Sequence, residues 1–450
     1  MPGMDCPSFA RTQPVPRTAD VAIVGGGIAG ASLATALADA GLDVVLIERE
    51  ARFRDRVRGE ALHPWGAAEA DRLGLVPVLR QAGALPLPIW QRYEARLPVE
   101  PYRWETDLPG GAVEWGVPHP ALQEALLAHA GARTARLLRP ATAVAFRQPT
   151  KASDLSEVVV SGLGGEATVR TLLVVGAGGS RAAARAWLGA HSVRDPIHHL
   201  IGGCLLEEVA LDRDRAHQAY LPGGMVTIFP QGAVDDPARR ARGYFVCDPA
   251  WGVTCRGSAG PARFLSVLAS AVPEGSLAGA RPAGPLAFFS GIDDWADRLT
   301  GDGLVLIGDA AGANDPSQGH GLSLAFRDAR ELRDLLLAAS PADWPDATRA
   351  FAARRLAYAA PLRAHARWAG LLTTEQGPEA DYRRAQVDLA RESDPSAGGY
   401  AGIFAFGPDG LSTDEAARRR FFGEEDGATS TLPGPAPDGA LPLVPTAGVG

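Results

Sequence analysis

The sequence predicts an α/β fold: a parallel sheet flanked by helices, interrupted by β-rich insertions and followed by a helical region. Three observations predict it. A short β-branched run, Asp20–Val24, opens onto Gly25-Gly26-Gly27-Ile28-Ala29-Gly30 and a helix of small residues that ends at Gly41. A second apolar run, Leu42–Glu48, follows, giving strand, glycine turn, helix, strand. Two more core-like runs, Leu172–Val175 and Leu304–Ile307, lie far downstream, so other material is inserted between pieces of one sheet.

Each element has a local cause. Residues 1–18 are rich in Pro and polar residues and read as a flexible arm. Asp20–Val24 is apolar on both faces, the pattern of a buried parallel strand. Gly41 stands where a helix needs a left-handed terminating residue. Within the insertions, His217–Phe229 and Arg242–Cys247 alternate as antiparallel strands do. From Gly321 the period becomes helical, with Leu322, Ala325, Ala329, Leu332 and Leu336 on one face. A second helix is expected over Trp344–Ala360, ended or kinked by Pro361. Periodicity fades beyond about residue 372. The domain expectation is 19–80, 119–195 and 296–340 for the parallel-sheet unit and 81–118 with 196–295 for a β-rich substrate unit. Residues 341–426 form a helical region, and 427–450 a Pro/Gly-rich tail.

Composition narrows the function. Among 450 residues, 44 Lys and Arg stand against 52 Asp and Glu, a net charge of −8, which disfavours nucleic-acid binding. No apolar run reaches the ~18 residues of a membrane helix. The N-terminus lacks the apolar stretch of a signal peptide. Four cysteines without a CxxC pair give neither a disulfide framework nor a zinc site, and Cys247 and Cys255 read as buried thiols. The expectation is a cytoplasmic, metal-free protein, monomer or homodimer, acting on a small molecule, without nucleic-acid or membrane partners.

The glycine turn carries the first chemistry. Gly25 permits the tight turn, Gly27 lets a pyrophosphate approach the backbone, and Gly30 lets the helix pack on the strand. The helix N-terminus offers free N–H groups to phosphate. Glu48, about 20 residues on, suits the ribose hydroxyls. This motif alone does not choose between NAD and FAD.

Three further segments make that choice: Arg58-Gly59-Glu60-Ala61-Leu62-His63-Pro64-Trp65-Gly66, Leu172–Gly179, and Gly308-Asp309-Ala310-Ala311-Gly312 followed by Asp315-Pro316 and Gly319-His320-Gly321-Leu322-Ser323. In this order the chain resembles the group-A FAD-dependent monooxygenases of the p-hydroxybenzoate hydroxylase fold, over about residues 19–370. The resemblance implies a Rossmann-like FAD-binding domain with an inserted mixed β-sheet substrate domain and C-terminal helices. It implies that Gly25, Gly27, Gly30 and Glu48 hold the ADP half of FAD and that Arg58 approaches the pyrophosphate. Gln123 corresponds to a polar cofactor contact, with an exposed helix glutamine as the alternative. Asp309 corresponds to the ribityl-binding aspartate, an ordinary N-cap being the other reading. Pro316, Gly319, Gly321, Leu322 and Ser323 would lie at the isoalloxazine ring, where a helix N-terminus stabilises reduced, anionic flavin. The implied chemistry is reduction of FAD by NADPH, oxygen addition at flavin C4a, and hydroxylation or epoxidation of an aromatic or polyketide-like molecule, as in antibiotic biosynthesis.

The sequence also departs from that pattern. The mid-chain motif has Gly178 where the family has aspartate and Ala182 where it has serine, while Arg185 is retained. NADPH use is therefore in question, and a separate reductase could supply electrons. The departure also admits a second reading, an FAD-containing, non-redox cyclase of natural-product biosynthesis. His320 replaces a common glutamine and could donate a hydrogen bond or exchange a proton beside the flavin, or simply fill space. A halogenase is disfavoured, because the sole lysine, Lys151, lies in a polar loop and no Trp-x-Trp occurs. Candidate substrate contacts are Trp65, Tyr220, Phe229 and Phe245, with Trp90 on similar grounds. His198 and His199 are adjacent in a strand and should face opposite sides.

Overall fold

The computed structural model describes residues 15–424 apart from 58–59, 108–111, 134, 151–154, 163, 256, 395–396 and 399–401. Arg58, Lys151, most of the N-terminal arm and the 427–450 tail lie outside the described residues.

The βαβ unit is Thr18–Val24, the helix Ile28–Asp39 and Val44–Ile47. Thr18–Val24 pairs in parallel with Val44–Ile47 on one side and with the long strand Gly165–Gly176 on the other. Arg136–Leu138 and Leu304–Leu306 extend this parallel core outward. Val21 and Ile23 pack toward the Ile28–Asp39 and Gly321–Ala338 helices, while Ala22, Val45 and Ile47 pack on the opposite face. Burial on both faces explains why these strands read as unbroken apolar runs. The outer half of Gly165–Gly176 continues into an antiparallel meander with Ser156–Gly162 and Ala141–Arg147.

Strands from both insertions build one nine-stranded sheet. Its centre is His199–Glu207, Ala241–Cys247, Gly224–Pro230 and Arg215–Leu221, and Ile89–Glu94 joins the edge in parallel with Arg215–Leu221. The helix Gly260–Ala271 covers one face through Phe264 and Leu268. The other face looks toward the parallel-sheet unit.

The C-terminal region is more helical than its sequence pattern indicates. Trp344–Thr373 is one helix of 30 residues that runs through Pro361. Its buried face (Phe351, Tyr358, Leu362 and Ala366) continues across the proline, so packing overrides the missing hydrogen bond. Beyond it, Pro378–Ala390, Gly402–Phe406 and Glu415–Phe421 are helices where periodicity had faded. These pieces are too short to show a period, and they are held by side-chain contacts. Arg327 and Asp409 make two hydrogen bonds of 2.8 and 2.9 Å, and Ile403 packs with Trp65, Leu324, Tyr358 and Leu362.

Candidate functional site

The glycine turn is built for close approach. Gly25 has φ +114°, and a Cβ there would stand 2.5 Å from the carbonyl oxygen of Ala177. At Gly30 a Cβ would meet the carbonyl of Gly25 at 1.9 Å, so helix and turn touch backbone to backbone. Gly27, the N-cap of Ile28–Asp39, has only Gln123 Nε2 near its Cβ position, at 3.8 Å. Gly27, Ile28 and Ala29 line the cavity, so the first turn of that helix stands at its wall. Glu48 is fixed behind them: its Oε2 accepts the Gly26 N–H at 2.7 Å and its Oε1 accepts the Glu50 N–H at 2.6 Å. Each carboxylate oxygen keeps a second lone pair for a ribose hydroxyl.

The turn carrying Asp309 is clamped by two buried arginines. Arg185 donates to the carbonyl oxygens of Ala310, Asp309 and Asp294 and to the Asp294 carboxylate at 2.7–3.2 Å. From the other side Asp328 accepts the Gly308 N–H at 2.7 Å and the Tyr358 hydroxyl at 2.5 Å, and it pairs with Arg355 at 2.8 Å. Arg355 in turn donates to the Gly312 carbonyl. Burial pushes the Asp328 carboxyl up, and the Arg355 guanidinium pulls against it. The retained Arg185 is thus a backbone brace, and Arg355 with Asp328 is a second brace that sequence reading missed.

At the third turn, Asp315 caps Pro316–Gln318 by accepting the Ser317 N–H at 2.9 Å. Gly319 follows with φ +69°, and the helix Gly321–Ala338 starts with open space beside Gly321. His63 Nε2 lies 2.7 Å from the Gln318 carbonyl oxygen, and its Nδ1 lies 3.0 Å from Glu114. His199 Nε2 stands 3.3 Å from Asp315.

One cavity of about 2120 Å³ joins the three turns, well above the ~300–1,000 Å³ of a usual small-molecule site. Gly25, Gly27, Glu48 and Gln123 line one end. Asp309, Pro316, Gly319, Gly321 and Leu322 line the middle. The cavity therefore has space and donors for a dinucleotide plus a second ligand. Exposed helix N–H groups, side-chain-free glycines and a held carboxylate fit FAD.

Two residues of the third turn face away from the cavity. His320 is 1% exposed, with its ring 5.1 Å from His63, 5.5 Å from Phe404 and 6.1 Å from Trp65. Burial holds this imidazole neutral, far below its ordinary range, so it is not a proton exchanger near neutral pH. It fills space, because the helix start turns position 320 inward. Ser323 is fully buried, and a Cβ on Gly66 would strike its Oγ at 2.1 Å, so it serves helix packing instead of cofactor contact.

The substrate side is decided by strand register. On Gly224–Pro230, Met225, Thr227 and Phe229 face the cavity; on Ala241–Cys247, Tyr244 and Val246 do. Phe245 points to the opposite face, packing on Trp251 at 4.5 Å within the core under Gly260–Ala271, so it is no substrate contact. Trp65 is likewise withdrawn into the cluster with Leu324, Tyr358 and Leu362. Tyr220 lines the rim and is 53% exposed. Trp90 faces the cavity and donates to Gln218 at 3.2 Å. Phe404 also lines it, with its ring 18° from the plane of His320 and 13° from that of Trp90. No local pattern announces Phe404, which reaches the site from the C-terminal segment.

Glu60 belongs to the Arg58–Gly66 segment. It lines the cavity and is paired with Arg242 at 3.0 Å and with Gln231. Burial pushes its carboxyl up to about 7, and the Arg242 guanidinium and Gln231 amide resist. Gly178 and Ala182 prove to be neighbours, since a Cβ on Gly178 would lie 3.3 Å from that of Ala182. The two departures from the family motif are therefore a single small-residue contact. His198 and His199 do approach, Nδ1 to Nδ1 at 3.3 Å, because His198 precedes the strand instead of lying within it. No cluster of potential metal ligands occurs among the described residues. No described helix is long and apolar enough to cross a membrane.

A parallel βαβ core, a glycine turn, an aspartate turn and an inserted sheet over one cavity define an FAD-dependent oxidoreductase. The FAD binding domain family matches residues 18–247, and the chain belongs to it. The chain is 29% identical over 348 residues to ubiquinone hydroxylase UbiL of Rhodospirillum rubrum, covering 72% of this chain and 73% of that one. It is 30% identical over 332 residues to digeranylgeranylglycerophospholipid reductase 1 of Methanopyrus kandleri, covering 68% and 77%. The crystal structure of p-nitrophenol 4-monooxygenase PnpA from Pseudomonas putida DLL-E4 superposes with a TM-score of 0.68 at 21% identity, covering 83% of this chain and 94% of that one.

Proposed function

We propose that the chain is a monooxygenase that transfers one oxygen atom of O2 to an aromatic or polyketide-like small molecule. The observation that carries this is the cavity itself. It runs without interruption from the glycine turn, past Asp309 and the Gly319–Gly321 turn, into a compartment walled by Trp90, Phe229, Tyr244 and Phe404. A cofactor bound in the first part ends where an apolar acceptor would begin. When bound, FAD supplies electrons taken from NADPH and the activation of oxygen.

The chain's own residues bind, orient and exclude water. Gly27 and the helix behind it present N–H groups to the pyrophosphate. Glu48 would accept from the ribose, and Asp309, held rigid by Arg185, would accept from the ribityl hydroxyls. The N-terminus of Gly321–Ala338 directs positive potential at the ring. The aromatic walls orient the acceptor and keep the compartment dry.

The test is anaerobic mixing of the flavin-loaded protein with NADPH, with and without aromatic candidates, following oxidised-flavin absorbance, and then turnover under 18O2. Bleaching and one labelled oxygen in the product are expected. A candidate converted with neither bleaching nor label would replace this reading with the non-redox cyclase. Label that appears only with an added reductase would transfer NADPH use to a partner.

A further inference from the structure

His63 and Glu114 form a buried pair that the functions above leave unused. His63 precedes the helix Pro64–Arg72, and Glu114 begins the short strand Glu114–Gly116, which pairs with Ala61–Leu62. Their side chains are 3% and 0% exposed. The Gln318 carbonyl, 2.7 Å from His63 Nε2, can only accept, so Nε2 carries a hydrogen and donates it. Two arrangements then remain for Nδ1, 3.0 Å from Glu114 Oε1. Either a protonated Glu114 donates to it, or a doubly protonated imidazole donates to the carboxylate. Both arrangements hold the same protons and have zero net charge. They differ by one proton shifted along one hydrogen bond: an O–H breaks and an N–H forms.

The balance between them is open to an outside field. Glu114 Oε2 is buried without a hydrogen-bond partner among the described residues, which favours the neutral acid, while the imidazole favours the ion pair. The rings packed around His63 do not supply the field. His320 is held neutral by burial, with no carboxylate partner among the described residues, and burial lowers His365 to about 4. Phe404, at 4.8 Å, is apolar. The cavity side remains: His63 lines it together with Gln318 and Gly319, and a Cβ on Gly319 would lie 2.8 Å from His63 Nε2.

We propose that the Glu114–His63 pair is a switchable positive charge that stabilises reduced flavin. The proton rests on Glu114 while the ring is oxidised and moves to His63 when negative charge develops at the Gln318–Gly321 turn. The pair acts through that turn and is a positioning element, and the proposal rests on the flavin location inferred above.

The test is the two-electron reduction potential of bound FAD, measured by slow anaerobic enzymatic reduction against a reference dye. Neither NADPH nor substrate takes part, so failure of the monooxygenase reading leaves this result readable. Glu114→Gln keeps shape, and its amide donates to Nδ1, which fixes His63 neutral. The variant should retain FAD while its potential falls by at least about 30 mV, a tenfold loss in stability of the reduced form. His63→Gln should fall likewise and decides the matter if Glu114→Gln does not fold. An unchanged potential in a variant that retains FAD overturns the proposal. So does loss of FAD in both variants, which would make the pair a structural brace. A wild-type protein that takes up no FAD would instead overturn the functional reading itself.

Discussion

At the end of the cavity proposed for the dinucleotide the wall is made by backbone. Gly25, Gly27 and Gly30 expose N–H groups or allow two chain segments to touch, and Arg185 and Arg355 grip carbonyl oxygens rather than side chains. At the substrate end the contacts are side chains, selected by which face of a strand they occupy and completed by Phe404 from more than 300 residues beyond Trp65's neighbour Gly66. The difference teaches that a cofactor shared by many proteins is held by geometry that only glycine and a few fixed polar groups provide. A particular acceptor is held by apolar residues that many sequences could supply.

The largest expected effect lies at the backbone end. Gly25→Ala forces a side chain into a left-handed position and onto the Ala177 carbonyl at 2.5 Å. Neither strand can retreat, because both belong to the parallel core. FAD affinity measured by equilibrium dialysis should fall at least a hundredfold. A protein that keeps wild-type affinity would break the claim that this end is built from backbone.

The same contrast explains what was legible. That Gly25, Gly27, Glu48 and Asp309 share one cavity could be read because each sits at a fixed offset within a strand-turn-helix unit, and local sequence carries that geometry. Phe245 and Phe229 could not be separated, since both are aromatic residues in strands and a one-residue difference in parity puts one in the core and the other in the cavity. The inward placement of Trp65 and the space-filling alternative for His320 could not be chosen from the motifs, because the helix starts they belong to decide which way those two side chains turn. The Arg185 brace reaches 125 residues along the chain to Ala310, and the Arg355 brace joins residues 27 apart on two different helices, so neither has a local signature.

The paired phenylalanines give the next effect in size. Phe245→Ala removes a ring from the core and should cost about 3–5 kcal/mol of stability in urea unfolding. It should leave FAD affinity and the binding of an aromatic probe such as 2-naphthol intact. Phe229→Ala, which also loses buried contacts with the Leu85 and Leu87 cluster, should in addition weaken 2-naphthol at the compartment wall about tenfold, as expected for loss of one aromatic contact. Equal effects of both variants on the probe would show that register does not divide the two faces.

A pH-dependent effect sharpens the comparison at its seam. Glu60 joins the two ends: it precedes the Ala61–Leu62 strand, pairs with Arg242 of the inserted sheet and lines the cavity. Its carboxyl is pushed up from 4.5 to about 7, with burial as the larger cause and Arg242 opposing it. A carboxyl raised on folding binds its proton more tightly folded than unfolded. It therefore supports stability below pH 4.5, and that support is lost as pH rises through about 7. Glu60→Gln has no such proton to lose. Across this pH range the stability difference should move toward the variant by up to about 3 kcal/mol, at 1.36 kcal/mol per pKa unit. Parallel stability curves for variant and wild type between pH 4.5 and 8 would mean that Arg242 compensates Glu60 fully, and that the seam is an ordinary ion pair instead of a carboxyl kept near neutrality at the edge of the substrate compartment.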